Sequence, residues 1–185
     1  MRISSICVFC ASSRKTPEKW LSLARSLGAG LARMGIDVVY GGASIGMMGA
    51  LADSALAEGG RVTGVIPQWL KIREVAHEGL TGLVVTEDMH RRKMAMYDKS
   101  DAFVVAPGGM GTLEEALEIF TWKGLGIHTK PLFLLNHEGY FDHLLAQFEK
   151  CVEEKLMSEH SLGMWNVVPG PEELFSHVKS LNFQA

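Results

Sequence analysis

Cysteine is scarce in this chain and stands in no framework. There are three, Cys7, Cys10 and Cys151, and an odd count without paired spacing argues against a disulfide scaffold. Cys7 and Cys10 have the C-x-x-C spacing of redox and metal pairs. Within a strand, however, residues three apart point to opposite faces, and a structural zinc takes four ligands with no second pair here to complete them. Both are expected to be ordinary buried thiols. The seven histidines are scattered without metal-ligand spacing, so no metal site is expected. No apolar run approaches the roughly 20 residues that cross a bilayer, which excludes a membrane-spanning reading. The opening run around Ile6 to Cys10 is too short, and too broken by serine, for a signal peptide, so a cytoplasmic protein is expected. Charge of one sign is not in excess either. The net charge of −3 gives no general attraction to nucleic acid or anionic lipid. Linkers, repeats and low-complexity tracts are lacking. At 185 residues the chain suffices for one α/β domain with a full core and is short for two, so residues 1–185 are read as a single domain.

What is present is an alternation. Apolar residues make up 47% of the chain and charged residues 21%, the balance of a globular protein. Short apolar runs at residues 4–10, 36–40, 61–66, 82–86, 102–106, 131–135 and 165–168 read as six or seven strands. Helical periodicity separates most of them: from Thr16-Pro17, with Pro17 at the first helical position, to a stop at Gly35, from Met47 to Glu58, from a capping Asp88 to Lys99, from Thr112 to about Gly124, from Phe141 to Leu156 and from Pro171 to Leu181. Residues 68–81 show no clear period and read as a long loop. Strands alternating with helices imply an α/β, Rossmann-like, doubly wound parallel sheet.

Two of the strand-to-helix connections are rich in glycine. Ala106-Pro-Gly-Gly-Met-Gly-Thr-Leu-Glu-Glu-Ala116 follows the fifth strand. Gly108, Gly109 and Gly111 let the backbone turn sharply and a ligand approach it, and the free N–H groups and positive dipole end of the next helix suit a phosphate. The turn is neither a P-loop nor a G-x-G-x-x-G dinucleotide turn. A purely structural account also exists: Thr112 as N-cap with Glu115 three residues on is a capping-box pattern. Gly41-Gly-Ala-Ser-Ile-Gly-Met-Met-Gly49 follows the second strand, and its Gly46 and Gly49 permit either close packing or close ligand approach. Two such turns at strand ends of one sheet favour a ligand crevice. The Ala11-Ser-Ser-Arg-Lys15 turn adds two hydroxyls that can donate to an anion. His90, Arg91, Arg92 and Lys93 open a helix, where cations oppose the dipole; they form either a solvated face or one side of an anion site.

Gly41-Gly42…Gly46-Met47-Met48-Gly49, Met89-His90-Arg91-Arg92-Lys93 and Pro107-Gly-Gly-Met-Gly-Thr-Leu-Glu-Glu115 occur in that order. Together they closely resemble the LOG ("lonely guy") family of cytokinin riboside 5′-monophosphate phosphoribohydrolases, whose members are often labelled lysine decarboxylases. The resemblance runs from Val8-Phe-Cys to about Lys130. It implies a Rossmann-like fold, a homodimer, hydrolysis of the N-glycosidic bond of a purine nucleoside 5′-monophosphate, and no cofactor. By position, the family's essential arginine falls on Arg92 and its essential glutamate on Glu115. Substrate contacts fall on Lys93, on Gly108, Gly109, Met110, Gly111 and Thr112, and on Leu113 and Glu114. Glu74, in Arg73-Glu74, resembles the family's P-R-E segment, though proline is absent here. Ala11-Ser-Ser also departs from the family's Gly-Ser-Ser.

The chemistry fits these residue types. Cleavage at C1′ passes through an oxocarbenium-like state, which a carboxylate stabilises while it orients or deprotonates water. Glu115, placed in the first helical turn, would be kept ionised by the dipole. Arg92 can clamp phosphate or sugar oxygens, or hold Glu115. Glu114 points about 100° away around the helix. Two other readings are compatible with the fold: a non-catalytic nucleotide- or pterin-binding module of the molybdenum-cofactor-carrier type, which needs the glycines but not Glu115 or Arg92, and a lysine decarboxylase, for which no lysine motif stands out.

Overall fold

A computed structural model of the chain describes residues 2–73 and 76–184. Among them seven strands form one sheet in the order β4-β3-β2-β1-β5-β6-β7, and every neighbouring pair runs parallel. The strands are β1 (Ser5–Phe9), β2 (Asp37–Tyr40), β3 (Val62–Pro67), β4 (Gly82–Thr86), β5 (Ala102–Val105), β6 (Leu132–Leu135) and β7 (Asn166–Val168). The helices between them are α1 (Glu18–Arg33), α2 (Gly46–Ala57), α3 (Gln68–Arg73), α4 (Met89–Asp98), α5 (Met110–Gly124), α6 (Asp142–Glu153) and α7 (Pro171–Phe183).

The central strands are apolar on both faces because helices cover both. Ile6 and Val8 of β1 pack with Leu27 and Leu31 of α1, Leu51 of α2 and Val178 of α7. Cys7 and Phe9 point the other way, toward Met96 of α4 and Ile119 and Phe120 of α5. The two-residue period of a strand thus feeds two separate cores. Cys7 lies in one and Cys10 in the other, both as free, buried thiols, as expected. Among the described residues no group of His, Cys, Asp and Glu could hold a metal ion, and no helix is long and apolar enough to cross a membrane.

Local rules explain the helix ends. Gly35 closes α1 at φ +69°, with the Gly35 and Ile36 N–H groups donating to the carbonyls of Ala32 and Leu31, a left-handed C-terminal stop. Asp88 caps α4 by accepting from the Arg91 N–H at 2.7 Å, the capping role expected of it. Two expectations change. Pro17 is the cap residue of α1, one place ahead of the first helical position. Residues 68–73 are helical; six residues are too few for a periodic signal to emerge.

The chain runs outward from β1 through β2 and β3 to β4, then crosses back to lay β5 on the other side of β1. The β1–α1 and β5–α5 connections therefore diverge at the carboxyl ends of adjacent strands, which opens a crevice. A hydrogen bond from the Ala11 N–H to the Pro107 carbonyl at 3.2 Å ties its two sides at the base.

Candidate active site

The crevice holds a cleft of about 290 Å³, lined by residues 10–13 after β1, Met48 of α2, Arg92 of α4, and Gly109, Gly111, Thr112 and Glu115 around the start of α5. Four segments far apart in sequence meet there because the topology brings their strand ends or helix starts to one edge of the sheet.

Arg92 and Glu115 are each 5% exposed and lie 3.3 Å apart, Nη1 to Oε1. The guanidinium is further fixed by the backbone: Nε donates to the Val65 carbonyl at 3.0 Å and Nη2 to the Gly41 carbonyl at 3.3 Å. Burying two charges carries a desolvation cost that such a pair rarely recovers as stability. A buried pair at a cleft wall, with its charges balanced and its geometry fixed, therefore points to chemistry.

Glu115 lies one turn deeper in α5 than its sequence position suggested. The helix begins at Met110 with Gly109 as its extended cap residue, so Glu115 sits in the second turn, about 7.5 Å along the axis from Met110 at 1.5 Å per residue. The dipole falls off within the first turn, so Arg92 is the principal source of nearby positive charge. The capping box also fails. Thr112 is buried within the helix, and a Cβ on Gly108 would lie 2.1 Å from its Oγ1. The side chain of Thr112 thus packs under the turn instead of capping it.

The three glycines of this turn divide by role. Gly108 is glycine because Thr112 fills the space. A Cβ on Gly109 or Gly111 would meet nothing within 4 Å, although both line the cleft. Their lack of side chains leaves room at the N-terminus of a 15-residue helix, where unsatisfied N–H groups favour an anion.

The other sequence-derived residues fall around the cleft, not in its described lining. Lys93 is buried, with Nζ 2.5 Å from Glu114 and 3.0 Å from Glu118. Burial pulls its pKa down, but the hydrogen bonds and charges of the two carboxylates prevail and raise it, so Lys93 stays protonated and bridges α4 to α5. Glu114 is thereby turned away from Glu115, as helical geometry requires. Met110 is 85% exposed, and Leu113 packs against the core shared by α4 and α5. Of the four-residue cationic run, His90 and Arg91 are exposed, as a solvated face would be, while Arg92 and Lys93 are buried against the carboxylates of α5. Glu74 lies outside the described residues.

Sequence reasoning did not single out Cys10, Met48 or Gly41 for the site. A Cβ on Gly41 would lie 2.3 Å from Arg92 Nη2. Cys10 lines the cleft, yet burial first and the charge of Glu115 second push its thiol up, which leaves it a poor nucleophile at neutral pH.

With this geometry established, comparison with known proteins identifies relatives. The family model described as "Possible lysine decarboxylase" matches residues 48–178. A cytokinin riboside 5′-monophosphate phosphoribohydrolase of Arabidopsis thaliana is 44% identical over 94% of this chain and 81% of its own. One from Rhodococcoides fascians is 46% identical over 81% of this chain and 76% of its own. Among solved structures, the Moco carrier protein of Chlamydomonas reinhardtii superposes with a TM-score of 0.75 at 23% identity, covering 100% of both chains. At that identity the likeness concerns the fold alone.

Proposed function

The chain belongs to the LOG family, and from that membership and the geometry of the cleft we propose that it hydrolyses the N-glycosidic bond of purine nucleoside 5′-monophosphates. Cytokinin-type nucleotides and AMP are its substrates, and free base and ribose 5-phosphate its products. The observation that carries this reading is the buried Arg92–Glu115 pair, set one helical turn beyond an unobstructed helix N-terminus.

The 5′-phosphate binds the N–H groups at the start of α5, in the room left by Gly109 and Gly111. The ribose then lies along the first turns, which brings C1′ toward Glu115. As the bond to the base lengthens, the ring gains positive charge. The Glu115 carboxylate stabilises that charge and takes a proton from the water that attacks C1′, while the base departs with the electron pair of the C1′–N bond and takes up one proton to become free base. Arg92 holds Glu115 in place; its Nε and Nη2 are committed to carbonyls, so we assign it to positioning the carboxylate in preference to clamping phosphate. Lys93 and Glu114 support the site from behind as the α4–α5 bridge. A binding module would need the glycines but would gain nothing from a buried ion pair. A Schiff-base decarboxylase would need a lysine at the reaction centre, and the described residues lining the cleft include none.

We further propose that residues 1–185 act as one domain and that two copies associate. Met94 on α4 and Met110 and Leu117 on α5, neighbouring helices, are exposed apolar side chains of the kind an interface covers. Light scattering at micromolar concentration reads the dimer directly; a monomer overturns that part.

The central test is chromatographic release of base from AMP and isopentenyladenosine monophosphate by the wild type and Glu115→Gln. The wild type should release base, and the variant should lose about 10²–10⁴-fold in kcat, the range of a general base, while still binding AMP. Adenosine, lacking the phosphate, should react far more slowly than AMP. Binding of nucleotide by both proteins without base release would identify a carrier; equal rates for AMP and adenosine would remove the phosphate anchor.

A further inference from the structure

Behind the glycine-rich turn lies a second cavity of about 250 Å³, lined in part by Pro17, Trp20, Pro107, Gly108, Gly109 and Tyr140. The Tyr140 hydroxyl donates to the Gly108 carbonyl at 2.7 Å. Its ring packs edge-on against Trp20 at 5.3 Å and against Phe141 at 4.9 Å. Phe141 is buried, and its N–H donates to Asn136 Oδ1 at 2.7 Å. The hydroxyl is therefore held from the β6–α6 connection, an element outside the sequence motifs of the turn.

The peptide it grips joins Gly108 to Gly109. A trans peptide is planar, so its C=O and N–H point in opposite directions. Fixing the Gly108 oxygen toward Tyr140 directs the Gly109 N–H away from Tyr140. Glycine on both sides gives this peptide a backbone freedom that other residue types lack; a Cβ at Gly109 would find open space, while Thr112 stands against Gly108. A rotated peptide would present a carbonyl oxygen where an anion is to bind.

We infer that Tyr140 is a positioning residue for substrate phosphate: through its hydroxyl it locks the Gly108–Gly109 peptide with the Gly109 N–H available to the anion. This deepens the functional reading above and rests on its placement of the 5′-phosphate. A donor locked in this way serves ground state and transition state alike, so its loss weakens binding without slowing chemistry.

The test compares the wild type, Tyr140→Phe and Tyr140→Ala. The quantities are kcat and KM for AMP, the Kd of ribose 5-phosphate by calorimetry, and Tm. Tyr140→Phe keeps the ring on Trp20 and removes only the hydroxyl. It should raise KM and the ribose 5-phosphate Kd together by about three- to tenfold, the worth of one hydrogen bond, with kcat within about twofold and little change in Tm. Tyr140→Ala should show the same loss of affinity and, in addition, a lower Tm from lost packing. Unchanged affinity in Tyr140→Phe, or a loss that appears only in Tyr140→Ala, overturns the inference. A wild type that binds ribose 5-phosphate but leaves AMP intact overturns the hydrolase and leaves the Tyr140 comparison readable in Kd. A wild type that binds neither overturns both.

Discussion

The two glycine-rich turns look alike in sequence and differ in what occupies the space beside them. In the β2–α2 turn, the position of a Cβ on Gly41, Gly46 or Gly49 is already filled by protein: Arg92 Nη2 at 2.3 Å, the Ser13 N at 2.7 Å and the Ser44 carbonyl oxygen at 2.2 Å. In the β5–α5 turn, Gly109 and Gly111 face nothing within 4 Å. The first turn is thus glycine-rich so that protein can pack against it, and its principal guest is the side chain of Arg92. The second leaves Gly109 and Gly111 beside open space, which suits the approach of the proposed substrate, while its Gly108 makes room for Thr112. Each turn serves one half of the proposed reaction, the first by placing the pair at C1′ and the second by receiving the phosphate.

Gly41→Ala breaks the comparison hardest. The added methyl overlaps the flexible ends of Arg92 and Met48, so the overlap itself can be relieved, although disturbing the buried Arg92–Glu115 pair should also lower stability. Arg92 cannot move without leaving Glu115. We expect kcat to fall about 10²-fold or more, the scale of an acid–base contribution, with AMP affinity largely kept. Steady-state kinetics beside a thermal melt check this; a variant that loses stability but keeps kcat would show that Gly41 serves packing alone.

Gly49→Ala should act the other way. Its methyl meets backbone, the Ser44 carbonyl at 2.2 Å, which cannot swing aside. Overpacking of this kind costs about 1–3 kcal/mol, or roughly 2–4 °C in Tm per kcal/mol for a domain of this size. The kcat of the folded fraction should stay near that of the wild type. Gly111→Ala sharpens the contrast with an opposite sign. No protein atom stands in its way and the position is helical, so alanine should stabilise by about 0.5 kcal/mol. The same methyl occupies space assigned to phosphate and should raise KM for AMP about tenfold, a loss of about 1.4 kcal/mol in binding. A gain in stability bought with affinity marks a functional glycine; unchanged KM would return Gly111 to structure.

These differences explain which parts of the molecule were legible in the sequence. The alternation of apolar runs with helical periods carried the sheet and its parallel sense, because a strand covered on both faces must be apolar throughout. Angular separation on a helix was also readable: Glu114 turns to Lys93 and Glu115 to Arg92, as about 100° per residue requires. The start of α5 was not readable. Whether Thr112 caps or packs depends on whether its hydroxyl finds an N–H or the space above Gly108, a tertiary fact with no local signature. The short α3 lacks the length to show a period. The pairing of Arg92 with Gly41 and Val65 carbonyls, and of Tyr140 with that of Gly108, joins segments 27 to 51 residues apart through main-chain atoms, which every residue type possesses and no motif displays.

The far end of α5 provides the mildest test, because it loosens the helix without touching either turn. His128 is buried; its Nε2 donates to the Ile119 carbonyl at 3.0 Å and its Nδ1 accepts from the Lys130 N–H at 3.1 Å. That arrangement fits the neutral ring, since a proton on Nδ1 would confront a backbone N–H. Burial first, and the nearby charges of Lys123 and Lys130 as well, lower its pKa from 6.5 despite the opposing hydrogen bond to Ile119. The unfolded chain therefore takes up the proton at higher pH than the folded one. The stabilisation is fully present above the unfolded value, and it is lost progressively as pH falls below that value toward the folded pKa. Melts from about pH 8 to about pH 5, spanning the ordinary histidine range, should show a decline in Tm that is shallower in His128→Gln than in the wild type. KM for AMP at neutral pH should match in the two proteins, because Gly109 and Gly111 lie at the opposite end of the helix. Parallel melting curves would assign the acid sensitivity to other groups, and a raised KM would show that the glycine turn depends on how the whole helix is seated.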